Sequence, residues 1–392
     1  MESRRAWVVV WATFVCLAVI FGVSYSFAAF FEIFAKEFSA QRADVSWIFG
    51  LCGLVYFVLG ALGGVLADRW GPRLVCMAGM GFIALGLFLT SLAQNLGTVY
   101  LSYGLLVGLG IAFVYTPSIA SVQPWFSKRR GLASGIASSG VGAGTLILPL
   151  LVSYLLTAVD WRIALQMMAG GVLVIGLSAG FLLKRAPSLP GHQSGQLAGL
   201  TLADALKTSS FRWLYMGTLL GAPVMFIPFA HISAAARDAG VADAQAVGLV
   251  GLIGIGSLVG RFAIGWLADR LGRVKTLMFM QCLMGMSYLI WAGAQEAWVF
   301  ALFALWFGLS YGSIVSLLPA ICMDLFGGRA VSAVIGTLYT GAALGNLLGP
   351  VLAGQVFDMT QSYALVIWIT LGISAMATYS CWRILKYPKL FE

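Results

Sequence analysis

Gly64-Val65-Leu66-Ala67-Asp68-Arg69-Trp70-Gly71-Pro72-Arg73 returns 201 residues later as Gly265-Trp266-Leu267-Ala268-Asp269-Arg270-Leu271-Gly272-Arg273. At the same offset, Gly140, Gly144 and Pro149 return as Gly341, Gly345 and Pro350. Two unrelated patterns sharing one offset point to a duplicated half-chain. Each Asp-Arg element closes one long apolar run and opens the next, which places it where a helix stops and the chain reverses. Gly71 and Gly272 permit the tight turn. Asp68 and Asp269 stand at helix ends, where a carboxylate can pair with an arginine or cap a neighbouring helix.

The flanking apolar runs decide the class. The chain has 392 residues, of which 60% are hydrophobic and only 9% charged, with a mean hydropathy of +0.94. A soluble domain carries roughly 25% charged residues, so most of this surface must face lipid. Breaking the chain at charges and turns predicts spans at 7–34, 45–67, 74–94, 98–121, 131–156, 162–183, 212–236, 244–268, 274–294, 298–323, 330–356 and 362–385. Each covers about 30 Å of hydrocarbon at about 1.5 Å per residue. The expectation is an all-α membrane protein of twelve transmembrane helices in two pseudo-symmetric six-helix bundles. Residues 1–186 form the first half, 187–211 a cytoplasmic linker rich in proline and glycine, and 212–392 the second half.

The net charge of +9 does not indicate nucleic acid, because the basic residues flank apolar runs instead of forming one face. With the N-terminus in the cytoplasm and alternating spans, only Lys36, Arg42, Arg162 and Arg237 fall outside, and Arg261 falls in neither compartment. The positive-inside rule thus selects a multi-pass protein of the cell (inner) membrane with both termini cytoplasmic. The first span continues past the length of a signal-peptide core and reads as uncleaved. Six cysteines lie in apolar runs at irregular spacing, without metal-ligand patterns. No phosphate loop, metal cluster or nucleophilic triad appears. The expectation is therefore no enzyme, no cofactor and transport driven by gradients.

Arg261 is the most informative residue. It precedes Asp269 by eight positions, about 12 Å along a helix, and so lies deep in the membrane. A charge there is costly and usually faces a cavity or a partner. Asp68, Asp269 and Asp324 sit at inner helix ends, and the other acids lie near the outer face. The natural counter-ion is then an anionic ligand, and a guanidinium fork suits a carboxylate. His231, in the outer half of the seventh span, is a candidate for proton handling or an outer gate, and Glu32 is a weaker one. Tyr115 and Tyr311 occupy nearly matching places in the two repeats and are expected to line the cavity. Tyr25, Tyr339 and Asn346 are lesser candidates.

The paired Asp-Arg-x-Gly loops resemble the signature loop of the major facilitator superfamily, and span count, linker and duplication extend the resemblance over the whole chain. It implies the major facilitator fold, with Asp68, Arg69, Asp269 and Arg270 acting as a latch that holds the outward-open state, and with the fifth and eleventh helices at the interface between halves. Ser257-Leu258-Val259-Gly260-Arg261-Phe262, followed by Gly265 and Ala268-Asp269-Arg270, resembles the monocarboxylate transporter and oxalate–formate antiporter branch, whose members hold a substrate carboxylate with an arginine at this place. His231-Ile232, Arg237-Asp238-Ala239-Gly240 and Gln41-Arg42-Ala43-Asp44-Val45-Ser46-Trp47 are similar to that branch as well. The eleventh span has no lysine to match the oxalate exchanger's second cation. The first span has no lysine, and Ser257 replaces the acid of the animal lactate carriers. The resemblance thus implies a monomeric secondary transporter of a small monocarboxylate such as lactate or pyruvate, coupled to a proton. Exchange or export of another organic anion is the alternative.

Overall fold

A computed structural model describes residues 4–122, 125–126, 130–184, 199–327 and 329–387. It contains α1 (Arg4–Glu37), α2 (Arg42–Trp70), α3 (Pro72–Ser91), α4 (Leu96–Val122), α5 (Arg130–Ala158) and α6 (Trp161–Leu182). After a short helix at Leu202–Lys207 come α7 (Ser209–Asp238), α8 (Asp243–Leu271), α9 (Arg273–Ala292), α10 (Ala297–Phe326), α11 (Val331–Thr360) and α12 (Ala364–Ile384). Helices are what these sequences must form in lipid, since each backbone polar group is then satisfied within its own segment. All twelve expected spans are found, mostly longer than expected at their ends. Eleven are long and apolar enough to cross a bilayer by composition. The remaining one, α9, is also 20 residues long but carries Lys275 and Gln281.

Local chemistry sets the helix ends. Asp160 caps α6 by accepting from the Arg162 amide at 2.8 Å. Thr208 caps α7 by accepting from Phe211 at 3.1 Å, so α7 begins three residues inside the expected linker; residues 187–198 of that linker lie outside the described residues. Gly71 and Gly272 terminate α2 and α8 with φ of 93° and 89°, a conformation that costs little only in glycine. The duplicated motif therefore makes the same turn twice.

The start of α1 and the end of α12 share one face of the bundle, here the terminal face; Glu37–Arg42, Asp238–Asp243 and Thr360–Tyr363 lie on the opposite, far face. The first six helices pack as one bundle and the last six as another, and they meet along α2–α11 and α5–α8. The repeated glycines do not themselves line this seam. A Cβ on Gly140 or Gly144 would strike the Phe14 or Ala18 carbonyl of α1, and one on Gly345 would press on Ala222 and Pro223 of α7. They bind α5 to α1 and α11 to α7 inside each bundle. Other glycines make the seam: Gly142 faces Gly254 and Leu258, and Gly50 and Gly53 face Leu347 and Asn346.

Candidate substrate cavity and far-face seal

The bundles are in contact through the far half of the membrane and diverge toward the terminal face. Tyr25 of α1 stacks on Phe229 of α7 with centroids 4.0 Å apart, and its hydroxyl lies 3.0 Å from that of Tyr311 on α10. Beneath this layer is a cavity of about 670 Å³. Its wall includes Phe21, Tyr56, Phe57, Tyr115, Phe226, Arg261, Tyr311 and Tyr339, and it continues past Ser134, Ser138 and Leu318 near the terminal face. The conformation is closed at the far face and open at the terminal one.

Arg261 lies in that cavity, ten residues before the end of α8 at Leu271, about 15 Å deep at 1.5 Å per residue. Its Nε stands 3.4 Å from the Ser257 hydroxyl, one turn earlier on the same helix. Among the described residues no carboxylate reaches ion-pair distance of it. Tyr115, Tyr311 and Tyr339 line the same cavity. Tyr25 and Tyr311 are hydrogen-bonded to each other across the two bundles, and Tyr115 and Tyr339 come one from each bundle. The sequence candidates Arg261, Tyr115 and Tyr311 are therefore brought into one chamber, and so is Tyr339. Asn346 is not: it is fully buried in the α2–α11 seam, with Nδ2 3.4 Å from the Gly50 carbonyl. Arg273 also borders the cavity, and its guanidinium holds Asp324 at 2.6 Å.

His231 and Glu32 lie elsewhere, in the seal above the cavity. Arg42 is its centre. Its two terminal nitrogens each donate to an oxygen of Asp238 at 2.7 Å, a fork-on-carboxylate contact across the bundles. Nη1 also donates to the Tyr363 hydroxyl at 2.8 Å, and the guanidinium lies 3.9 Å over the Phe357 ring. Asp358 of α11 accepts from the Arg42 and Ala43 amides at 3.1 and 2.9 Å, a negative charge on the N-terminus of α2. Glu32 pairs with Arg42 at 3.1 Å, but both belong to the first bundle, so this pair alone does not tie the bundles together.

His231 is fully buried, with Nε2 2.8 Å from the Pro350 carbonyl and 3.2 Å from the Ser46 hydroxyl, and Nδ1 3.0 Å from the Tyr363 hydroxyl. A carbonyl only accepts, so Nε2 carries the hydrogen. The Tyr363 oxygen accepts from Arg42, leaving its own proton for Nδ1. Burial raises the Tyr363 pKa well above the usual phenol range against the opposing influence of Arg42, which keeps that proton in place. The neutral imidazole is thus satisfied on both sides, and a further proton on Nδ1 would confront both the phenol proton and the Arg42 charge.

The sequence did not single out the roles of Arg42, Asp238, Asp358 and Tyr363. Arg42 and Asp238 sit within stretches noted for their family likeness, yet nothing in one dimension pairs residues 196 apart. Asp68, Arg69 and Arg270 are exposed at the terminal face, and the side chain of Asp269 lies outside the described residues.

The family model of the Major Facilitator Superfamily matches residues 13–330 and 224–390. Monocarboxylate transporter 13 of Rattus norvegicus is 34% identical over 365 residues, covering 92% of this chain and 85% of that protein. The chain belongs to the major facilitator superfamily, in its monocarboxylate transporter branch. It is a multi-pass membrane transporter and not an enzyme. Monocarboxylate transporter 11 of Mus musculus is 31% identical, covering 93% of this chain and 83% of its own. Monocarboxylate transporter 3 of Rattus norvegicus is 30% identical, with 98% and 82% covered. In fold, the chain resembles the crystal structure of a bacterial homologue of the human lysosomal transporter Spinster in its inward-facing, unoccupied conformation, with a TM-score of 0.75, 14% identity, and 98% and 99% of the two chains covered.

Proposed function

We propose that this protein carries a small monocarboxylate of the lactate and pyruvate kind, together with a proton, by alternating access. One observation carries the reading: Arg261 is a cation in the membrane-embedded cavity with no acid at ion-pair distance among the described residues. An uncompensated charge at that depth is costly, and one carboxylate neutralises it. Binding therefore favours whichever conformation excludes water around the pair, and release restores the cost, which gives each half-cycle a driver. Tyr115 and Tyr311 close the chamber around the bound carboxylate. His231 and Glu32 serve the outer gate and its coupling to protons. Asp68, Arg69, Asp269 and Arg270 form the latch of the opposite state. The transporter works as a monomer in the cell membrane with both termini cytoplasmic, its halves at 1–186 and 212–392 moving about the 187–211 linker.

The same uncompensated Arg261 also supports a second reading, anion exchange, because an empty site would have to return carrying a bare charge. Purified protein in liposomes separates the two. Symport predicts uptake of labelled lactate or pyruvate driven by an inward proton gradient, and exchange predicts uptake only with an anion inside. Arg261→Gln is expected to remove uptake in either case while leaving the protein monodisperse in detergent. Saturable uptake at the parent's rate by that variant would overturn the carboxylate site.

A further inference from the structure

Six aromatic side chains, Phe21, Tyr56, Phe57, Tyr115, Phe226 and Tyr339, form one connected wall of the cavity. Tyr115 meets Phe21 edge to face with centroids 5.4 Å apart, and Phe21 meets Tyr56 at 6.4 Å. Tyr56 lies 4.3 Å from Phe57, which contacts Phe226 at 5.8 Å and Tyr339 at 5.6 Å. All six border the cavity. Four belong to the first bundle, on α1, α2 and α4, and two to the second, on α7 and α11.

Packing alone does not account for rings at these places. Phe27, Phe30, Phe34 and Phe303 are fully enclosed by their bundles. Phe57, Tyr115 and Tyr339 are only half-buried, although they stand between the bundles at the cavity. Apolar surface left open there is stabilised by whatever covers it, and a three-carbon acid covers little of six rings. The volume of about 670 Å³ lies in the range of about 300–1,000 Å³ that takes much larger ligands. An aromatic guest extends such a wall by the same offset-stacked and edge-to-face contacts that hold it together.

The placement of the charge fits a guest of this kind. Arg261 lies ten residues before the end of α8 at Leu271, and Phe57 thirteen before the end of α2 at Trp70. Counted from the terminal face they stand about 15 and 20 Å deep, a step of about 5 Å. A ring joined to its carboxylate through one or two carbons spans that step, at about 1.5 Å per bond.

We propose that the cavity selects monocarboxylates that carry an aromatic ring. The carboxylate pairs with Arg261 of the second bundle while the ring lies against Phe21, Tyr56 and Phe57 of the first, so one guest holds both bundles. Among the described residues that border the cavity there is no acid to receive an ammonium group. Arylalkanoates and arylpyruvates therefore fit, and aromatic amino acids do not. This inference rests on Arg261 as the carboxylate site.

The test is binding of propanoate, 3-cyclohexylpropanoate and 3-phenylpropanoate to the purified protein, with Arg261→Gln as the blank for partition into detergent. Burial alone ranks the cyclohexyl acid at least level with the phenyl one. Ring–ring contacts should instead make the phenyl acid tighter by about five- to tenfold. Phe57→Leu and Phe21→Leu should bring that ratio toward one, with elution profile and thermal unfolding checking that each is folded. Uptake of labelled phenylpyruvate into liposomes, lost in Arg261→Gln, would show that a bound aryl acid is carried. A cyclohexyl acid that binds as well as the phenyl one, a ratio unchanged in both folded variants, or binding without uptake would overturn the proposal while leaving Arg261 in place. If none of the acids binds in an Arg261-dependent way, the carboxylate reading itself fails.

Discussion

Replacing Arg42 by glutamine should open the far face, and the geometry gives the size of the effect. Of the contacts Arg42 makes, those to Asp238, Tyr363, Phe357 and Asp358 cross between bundles, whereas Glu32 lies in its own. The two 2.7 Å contacts to Asp238 are charge-assisted, a class worth about 1.5–3 kcal/mol when shielded. Arg42 is 13% exposed but Asp238 is 40% exposed, so solvent screening reduces the value toward about 1.5 kcal/mol. That amounts to about a tenfold shift in the ratio of far-face-closed to far-face-open molecules. Pulsed electron resonance between spin labels at Lys36→Cys and Ala244→Cys, in a background lacking the exposed Cys282, would read this shift as growth of a longer-distance population. Asp238→Asn should reproduce most of it, and the double variant should add little. Glu32→Gln should shift the ratio less, because its pair survives when the bundles part. An unchanged distance distribution in Arg42→Gln, or an equal shift in Glu32→Gln, would refute the assignment of the seal.

Other measurements probe different parts of the mechanism. His231→Gln, whose amide nitrogen can take the place of Nε2 as donor to Pro350 but which cannot accept a proton, should flatten the dependence of uptake on outside pH; a profile parallel to the parent's would remove His231 from coupling. Because the neutral imidazole is the form that fits the seal, with Arg42, Tyr363, Glu32, Asp238 and Asp358 as its ionisable surroundings, acidification should favour the far-face-open population in the labelled parent protein. Gly71→Ala and Gly272→Ala should each lower stability by about 1–3 kcal/mol, since both demand a backbone conformation strained for a side chain. Gly81→Ala, with open space at its Cβ, should be neutral or slightly stabilising, and equal thermal unfolding of all three would contradict the turn argument.

The sequence by itself determined the fold and the depth of Arg261. Apolar runs can satisfy their backbone in lipid only as helices, so spans followed from composition and spacing, and the 201-residue repeat required two like bundles. Arg261 was also legible, because the cost of an ionised group in hydrocarbon depends on depth, and depth is counted along a helix. Tertiary structure alone decided what lies opposite what. It turned Gly140 and Gly144 into their own bundle and gave the seam to Gly142, Gly50 and Gly53. It placed His231 in a seal with Arg42, Asp238 and Tyr363 instead of in the cavity. It also left the Gln281 amide nitrogen buried without a hydrogen-bond partner among the described residues. Pairing across helices depends on rotation about each helix axis and on the register between bundles, and neither is encoded in any local stretch of residues.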